Sequence, residues 1–290
     1  MSNLRDLNLD HVPRPAPPAP PPPVWPMVAA AVLVLLLIAL GIFGWYSRRA
    51  RSIPQQTSAT PPAEGRASRS PTPPLGGAGE DIELPPLGES DALVRLLVNR
   101  LSTHPAVAAW LTSDDLIRDA TVVVQNVAAG ETPARHLRQV GPEGAFAVRA
   151  ESGDTFVDPR SHQRYNWLAD AVASIDTEGA ARLYSTLRPR VEEAYAELGS
   201  PESRFDATLE RAIVLLLQTP VVEGDVRLVT RGALYAYADP RLEALSPAQK
   251  QLMRTGPRNT RLMQEKLRAI ALALGIPEDR LPKETIVRAR

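Results

Sequence analysis

Apolar residues fall into two regimes along this 290-residue chain. Residues 27–46, MVAAAVLVLLLIALGIFGWY, form one unbroken run without a charge, whereas from residue 88 onward apolar positions recur at helical spacing between polar ones. Leu93, Leu96, Leu97 and Leu101, following Ser90-Asp91, predict the apolar face of a first helix. Pro105 predicts the start of a short helix reaching Trp110. Ser113 reads as an N-cap, with Asp114 and Asp115 in the first turn of a third helix that buries Leu116, Ile117, Ala120, Val123, Val124 and Val127 and stops at Gly130. The helical period lapses over 131–159, where 146–148 and 155–157, on either side of Gly153-Asp154, predict a hairpin. Helices resume over 161–175 and 177–198, and Arg188-Pro189 predicts a bend or break in the second. Ser200-Pro201 predicts the cap and first residue of a helix through Phe205, Leu209, Ile213 and Leu217 that Pro220 stops. Two further short strands are expected at 226–229 and 233–237. A helix from Pro247 toward Arg254, a break at Gly256-Pro257 and a long helix to about Leu274 complete the pattern, with Gly275 and Pro277 as the stop signal.

The expected fold class is therefore mainly α: a helical soluble domain with a few short strands, preceded by a single N-terminal transmembrane helix. The alternation that builds a parallel α/β sheet is missing. Twenty residues at about 1.5 Å per residue match the roughly 30 Å hydrocarbon core of a bilayer. Trp25 and Trp45-Tyr46 place aromatics at both expected interfaces. Ser47-Arg48-Arg49 stands where a leader peptide would carry its small-residue cleavage site, so the run reads as a permanent tether to the lipid bilayer. The expected organisation is a Pro-rich tail at 1–26, the membrane helix at 27–46, a flexible Pro/Ser/Gly-rich linker at 47–87 and the soluble domain at 88–290. Nine prolines in residues 12–26 favour extended polyproline II in the tail.

Charge and cysteine content narrow the function classes. The chain carries 33 basic and 33 acidic residues. Residues 47–80 hold five Arg against two Glu, and from 81 onward 26 basic face 29 acidic residues, so the domain is mildly acidic (26 − 29 = −3). No nucleic-acid partner is expected of such a domain. The absence of cysteine excludes disulfides, thiolate nucleophiles and Cys-ligated metals. Orientation stays open: Arg48, Arg49 and Arg51 place the domain in the cytoplasm by positive-inside counting, while the tail–anchor–spacer layout matches an envelope-facing protein.

Candidate chemistry is concentrated in two polar stretches. In residues 153–165, Asp154, Asp158 and His162 offer an acid–base set and Arg164 a cation; the competing account is fold-fixing turn chemistry, with Asp158 before Pro159 starting a helix. In residues 235–240, Tyr235 and Tyr237 alternate onto one face, as a groove or as core, and Asp239-Pro240 repeats the capping pattern. His136 is the other histidine expected in the core of the domain, since His104 precedes Pro105, and with His162, Asp154 and Asp158 it offers a metal or acid–base site against an ordinary capping or surface role. Arg258 and Arg261 near the Gly256 break offer an anion site or a salt-bridged surface. The acidic Glu192, Glu193 and Glu197 have the spacing of a solvated helix face. No P-loop, nucleophile elbow, dinucleotide fingerprint or metal-ligand spacing is present, and no cofactor is expected.

The stretches LPPLGESDALVRLL at 84–97, WLTSDDLIRD at 110–119, VDPRSHQRY at 157–165 and YADPRLEALSPAQKQLMRTGPRN at 237–259 resemble the DUF3014 family of uncharacterised bacterial membrane-anchored proteins. The resemblance implies one soluble domain behind an N-terminal anchor, held in the bacterial inner membrane, and carries over no functional residue. The leading expectation is a membrane-tethered interaction or scaffolding domain with a protein partner. The alternatives are a hydrolase, which requires Asp154, Asp158 and His162 to converge, or a ligand-binding sensor, which requires a sizeable aromatic-lined pocket near Tyr235 and Tyr237.

Overall fold

The computed structural model describes residues 74–133, 142, 144–199, 204–232 and 234–289. The apolar run at 27–46, the proline-rich tail, His136 and the Ser200-Pro201 pair lie outside these residues. Among the described residues no helix is long and apolar enough to cross a membrane. The domain is mainly helical with a few short strands.

Helices α1 (Asp91–Val98), α2 (Pro105–Trp110) and α3 (Leu116–Ala128) stand where the periodicity places them. Their caps differ from expectation. The His104 ring accepts from the Ala106 N–H at the start of α2. The cap of α3 is not Ser113: the Asp91 carboxylate of α1 accepts from the N–H groups of Asp115 (2.8 Å) and Leu116 (3.0 Å), so one helix start is satisfied by the next helix over. Helix α1 turns Val94, Leu97 and Val98 inward and leaves Leu96 55% exposed, a rotation of the expected apolar face. Gly130 takes φ +80° and ends α3 with the Glu131 N–H bonded to the Asn126 carbonyl, a Schellman turn.

The next segment is the hairpin β1 (Val148–Glu151) and β2 (Asp154–Val157). Its turn residues Ser152 (φ 51°) and Gly153 (φ 85°) are both left-handed, as a two-residue hairpin loop of matching twist requires. The single helix expected over 161–175 is two, α4 (Arg160–Gln163) and α5 (Asn166–Ala173). Helix α6 (Thr177–Glu197) runs unbroken through Pro189. An interior proline costs about 3 kcal/mol, and the neighbouring side chains oppose that cost with tertiary bonds. Thr186 accepts from the Glu80 N–H at 2.8 Å, Arg190 donates to the Leu84 carbonyl at 2.9 Å, and Arg188 donates to that of Leu75. Those partners belong to residues 75–87, expected as linker. Leu75, Ile82 and Leu84 pack on the core and Leu87 is fully enclosed in it, so the packed domain extends at least to residue 75.

Helix α7 (Phe205–Leu217) follows an extended Arg204 (φ −71°, ψ 146°); the start expected at Ser200-Pro201 lies outside the described residues. Strands β4 (Arg227–Arg231) and β5 (Leu234–Tyr237) complete an antiparallel sheet of order β1-β2-β4-β5. Two strands escaped the pattern: β3 (Val221–Glu223) pairs in parallel with the C-terminal β6 (Ile286–Arg288). Between them come α8 (Pro240–Glu243), α9 (Pro247–Met253, opened by a Ser246/Gln249 capping box) and α10 (Pro257–Ala273).

Helix α10 lies against α5, α6, α7 and β3. Its Met263 and Ala271 enter two apolar clusters, the second shared with Ala181, Ile213, Leu217, Leu274 and Ile276. Its buried Gln264 donates to the carbonyls of Leu216 (2.9 Å), Leu217 (3.4 Å) and Thr219 (2.8 Å), the C-terminal end of α7 where helical carbonyls lack intrahelical donors. We predict that Gln264→Leu, which keeps volume and removes the donor, lowers unfolding free energy by about 1–3 kcal/mol. The same change at exposed Glu265 should stay within about 0.5 kcal/mol. Urea unfolding of the two variants checks this; equal losses would show that Gln264 acts by packing alone.

Candidate functional site

Two copies of one local device build the walls of a cavity. At the end of β2, Asp158 accepts from the Arg160 N–H (2.8 Å) and grips its guanidinium through Nε (3.0 Å) and Nη2 (2.8 Å). At the end of β5, Asp239 does the same to Arg241, at 2.9, 3.2 and 2.8 Å. Each Asp-Pro-Arg unit turns a strand into a one-turn helix: the aspartate caps, the proline presets the first helical φ, and the arginine closes on the cap. The Arg160 guanidinium and N–H hold the Asp158 carboxyl down at about 2. Asp158 and Asp239 are thus elbows of the fold.

The elbows aim β2, α4, β5 and α8 around a cavity of about 500 Å³. One wall is the inner face of the sheet, with Val157, Leu228, Tyr235 and Tyr237. Leu228 and Tyr237 are direct cross-strand partners, as are Thr230 and Tyr235, so both tyrosines stand on one face. The opposite wall is His162, Arg164 and Tyr165 from α4 and its exit, together with Lys250, Gln251, Met253 and Arg254 from α9 and its exit. Phe146 and Leu234 stand at the rim; Phe146 lies 6.1 Å from Tyr235, ring to ring, and Leu234 is 74% exposed.

The floor is set by Gly256. Its φ of +87° is left-handed, and a Cβ there would stand 2.4 Å from the His162 ring. Only glycine lets the α9–α10 turn close on the imidazole. Below it the buried Asn259 amide donates to the carbonyls of His162 (3.1 Å) and Thr255 (3.0 Å) and to the Asn166 side chain (2.9 Å). Burial lowers the His162 pKa and keeps the ring neutral at pH 7.

Charge in the cavity is predominantly positive: Arg164, Lys250 and Arg254 against Glu243. Lys250 donates to the Glu243 carboxylate (3.3 Å) and carbonyl (3.0 Å). Glu243 also accepts from the Tyr237 N–H at 3.0 Å, the main cause that holds its carboxyl below the ordinary range. Arg164 donates to the carbonyls of Gly144 (2.8 Å) and Ser161 (3.3 Å) and lies 5.5 Å over the Tyr165 ring. Arg254 donates to the Gln251 side chain (3.3 Å). Among the described residues no carboxylate lies within ion-pair distance of Arg164 or Arg254.

Of the residues singled out from sequence, His162, Arg164, Tyr235 and Tyr237 come together here. Asp154 sits on the exposed hairpin, ion-paired with Arg227 at 3.2 Å. Arg258 is paired with Asp170 at 2.9 Å, and Arg261 with Glu223 and Glu284, so the anion-site reading of both gives way to a salt-bridged surface. Asp154, Asp158 and His162 therefore form no acid–base set. Among the described residues no group of three His, Cys, Asp or Glu is placed to hold a metal. Phe146, Glu243, Lys250 and Arg254 were not anticipated, although the last three lie in the 237–259 stretch already singled out.

The fold and cavity define a small, mainly helical domain built around one amphipathic pocket. The chain belongs to the DUF3014 family, described as a protein of unknown function, whose model matches residues 116–271 and so contains every residue lining the cavity. No curated protein and no solved structure matches the chain.

The depressed pKa of His162 has a measurable consequence. Above about pH 6.5, the ordinary histidine value, the ring is neutral in folded and unfolded chains alike and titration changes nothing. Below it the unfolded chain takes up a proton that the folded chain resists, so stability falls with pH. We expect the melting temperature of the native protein to drop between pH 7.5 and 5.5 more steeply than that of His162→Gln. Parallel slopes would mean that the ring is not desolvated as described.

Proposed function

We propose that this protein is a membrane-tethered ligand-binding module, with residues 27–46 as its tether in a bacterial inner membrane and the cavity between sheet and α9 as its binding site. The observation that carries the proposal is the cavity itself. Its volume of about 500 Å³ falls within the roughly 300–1,000 Å³ typical of small-molecule sites. An apolar, aromatic body with a few convergent polar groups is the usual composition of such a site, and Tyr235, Tyr237, Tyr165 and Phe146 supply it. Hydrolysis has less support, because the carboxylates that would carry it are engaged as a cap and in an exposed ion pair. An interaction role draws on the same place: the exposed Phe146, Leu234 and Tyr235 make a rim to which a protein partner would bind.

The test is thermal unfolding of the full chain in lipid nanodiscs against a panel of small anionic, neutral and cationic organic molecules. A ligand at about 100 times its Kd stabilises by about 2.7 kcal/mol, roughly 5–10 °C for a domain of this size. We expect at least one class to give such a shift, and Gln251→Trp, which fills the cavity from α9, to abolish it. The proposal fails if no class shifts the melting temperature, or if every shift survives Gln251→Trp.

A further inference from the structure

We infer that the cavity is selective for an amphipathic organic anion, its acid group bound between Arg254 and Arg164 and its apolar body lying along Tyr235 and Tyr237. The inference rests on the ligand-binding reading above and adds the chemical class. It begins from an imbalance of charge. The domain from residue 81 onward is acidic by three charges, yet the groups lining the cavity are basic by two (three basic against one acidic). Lys250 and Glu243 satisfy each other. The excess therefore resides on two guanidinium groups.

Elsewhere on the domain arginine is commonly matched by a carboxylate: Arg118 by Glu197 and Asp115, Arg149 by Asp225 and Glu151, Arg160 by Asp158, Arg258 by Asp170, Arg261 by Glu223 and Glu284. The two cavity arginines are held instead by neutral groups: carbonyls for Arg164 and an amide oxygen for Arg254. Neutral acceptors orient a guanidinium without cancelling its charge. A planar fork so oriented is suited to a carboxylate or a phosphate, by charge-assisted bonds about twice as strong as neutral ones.

The lining also divides by element into a cationic and an aromatic part. The cations come from α4, α9 and their exits, on the wall facing the sheet, while the sheet contributes Leu228, Val157 and the two tyrosines. A ligand with charge at one end and an apolar body at the other meets both walls. A fully polar anion would leave the tyrosine face unfilled, and a neutral hydrophobe would leave the charge of the two guanidiniums unanswered. The body has two chemical sources, an acyl chain of the kind a bilayer holds or a ring-bearing soluble acid, and the acid group is common to both.

Isothermal titration of the full chain in zwitterionic nanodiscs tests this, with empty nanodiscs as the blank. The probes are 3-phenylpropionate against 3-phenylpropanamide and octanoate against octanamide, isosteric pairs differing in the charge. We expect the carboxylate of at least one pair to bind about tenfold or more tighter than its amide at low salt. Arg254→Gln should remove most of that preference and Arg164→Gln part of it. The pair showing the larger preference identifies ring or chain as the body. Equal binding of acid and amide, or a carboxylate affinity unaltered in the Arg254→Gln/Arg164→Gln double variant, overturns the anion inference and leaves the cavity a binding site. Binding only of cationic molecules in the thermal panel overturns it as well. Absence of every cavity-dependent ligand is the separate outcome that defeats the ligand-binding reading.

Discussion

The closure of the Gly256 turn on the His162 ring is the constraint on which the rest of the domain depends. It joins two parts of the chain that are far apart in sequence: the hairpin with its exit helix, and the α9–α10 pair that crosses the core. Gly256 must be left-handed and must lack a side chain, two demands that coincide on one residue type. Pro257 then starts α10 without needing a donor for its missing N–H, and Asn259, one turn on, ties the His162 carbonyl to the break. Thr255 and Thr260 close the turn on the Leu252 carbonyl at 2.7 and 3.2 Å. The Asn259 amide, the Thr255 and Thr260 hydroxyls and the Gly256 N–H and carbonyl are all bonded within this junction, which fixes the turn against α4.

From that junction α10 carries order outward. Its amide side chains bond backbone carbonyls of other elements, Asn259 at α4 and Gln264 at the end of α7, while its apolar face joins clusters drawn from α5, α6 and α7. A buried amide whose donors are satisfied stabilises modestly by itself, yet leaving its acceptors unpaired is costly, so such residues specify one arrangement of helices over its neighbours. The sheet is attached differently. Its antiparallel strands turn into α4 and α8 through the two Asp-Pro-Arg elbows, and its inner face meets the helices across the cavity. The cavity is the space left between a helical core locked by amides and a sheet hung on two capped corners.

Much of this architecture was legible in sequence. Residues that act locally announced themselves: Pro105, Gly130, Gly256-Pro257 and Gly275 each start or stop the helix expected of them, and a hairpin forms near Gly153, though with strands at 148–151 and 154–157 about Ser152-Gly153 instead of 146–148 and 155–157 about Gly153-Asp154. What was hidden is what depends on distant partners. Strands β3 and β6 have three residues each, too few to show a period, and pair only because the C-terminus returns beside α10. Asp91 caps a helix other than its own, Pro189 is tolerated because residues 75–84 lie along α6, and neither fact has a local signature. The site divides likewise. Tyr235 and Tyr237 share a face by strand alternation, which sequence shows. Arg254 faces them only after the Gly256 turn closes, which it does not.

The directions in which the pocket groups are shifted fit the binding role proposed above. A general acid or base works best with a pKa near the operating pH, so catalytic sites draw their groups toward neutrality. Here each shifted group moves the other way. Burial pushes the Tyr237 hydroxyl up, the Tyr237 N–H and Lys250 hold the Glu243 carboxyl down, and burial keeps His162 neutral. At the elbow beside them Asp158 is held at about 2. The cavity combines cationic side chains, an aromatic face and a carboxylate bound by Lys250 and the Tyr237 N–H. With Glu243 bound by Lys250 and Arg164 and Arg254 facing no carboxylate, discrimination in the proposed site falls on the charge of the ligand, because an acid and its neutral counterpart differ there in the one feature the two arginines can answer.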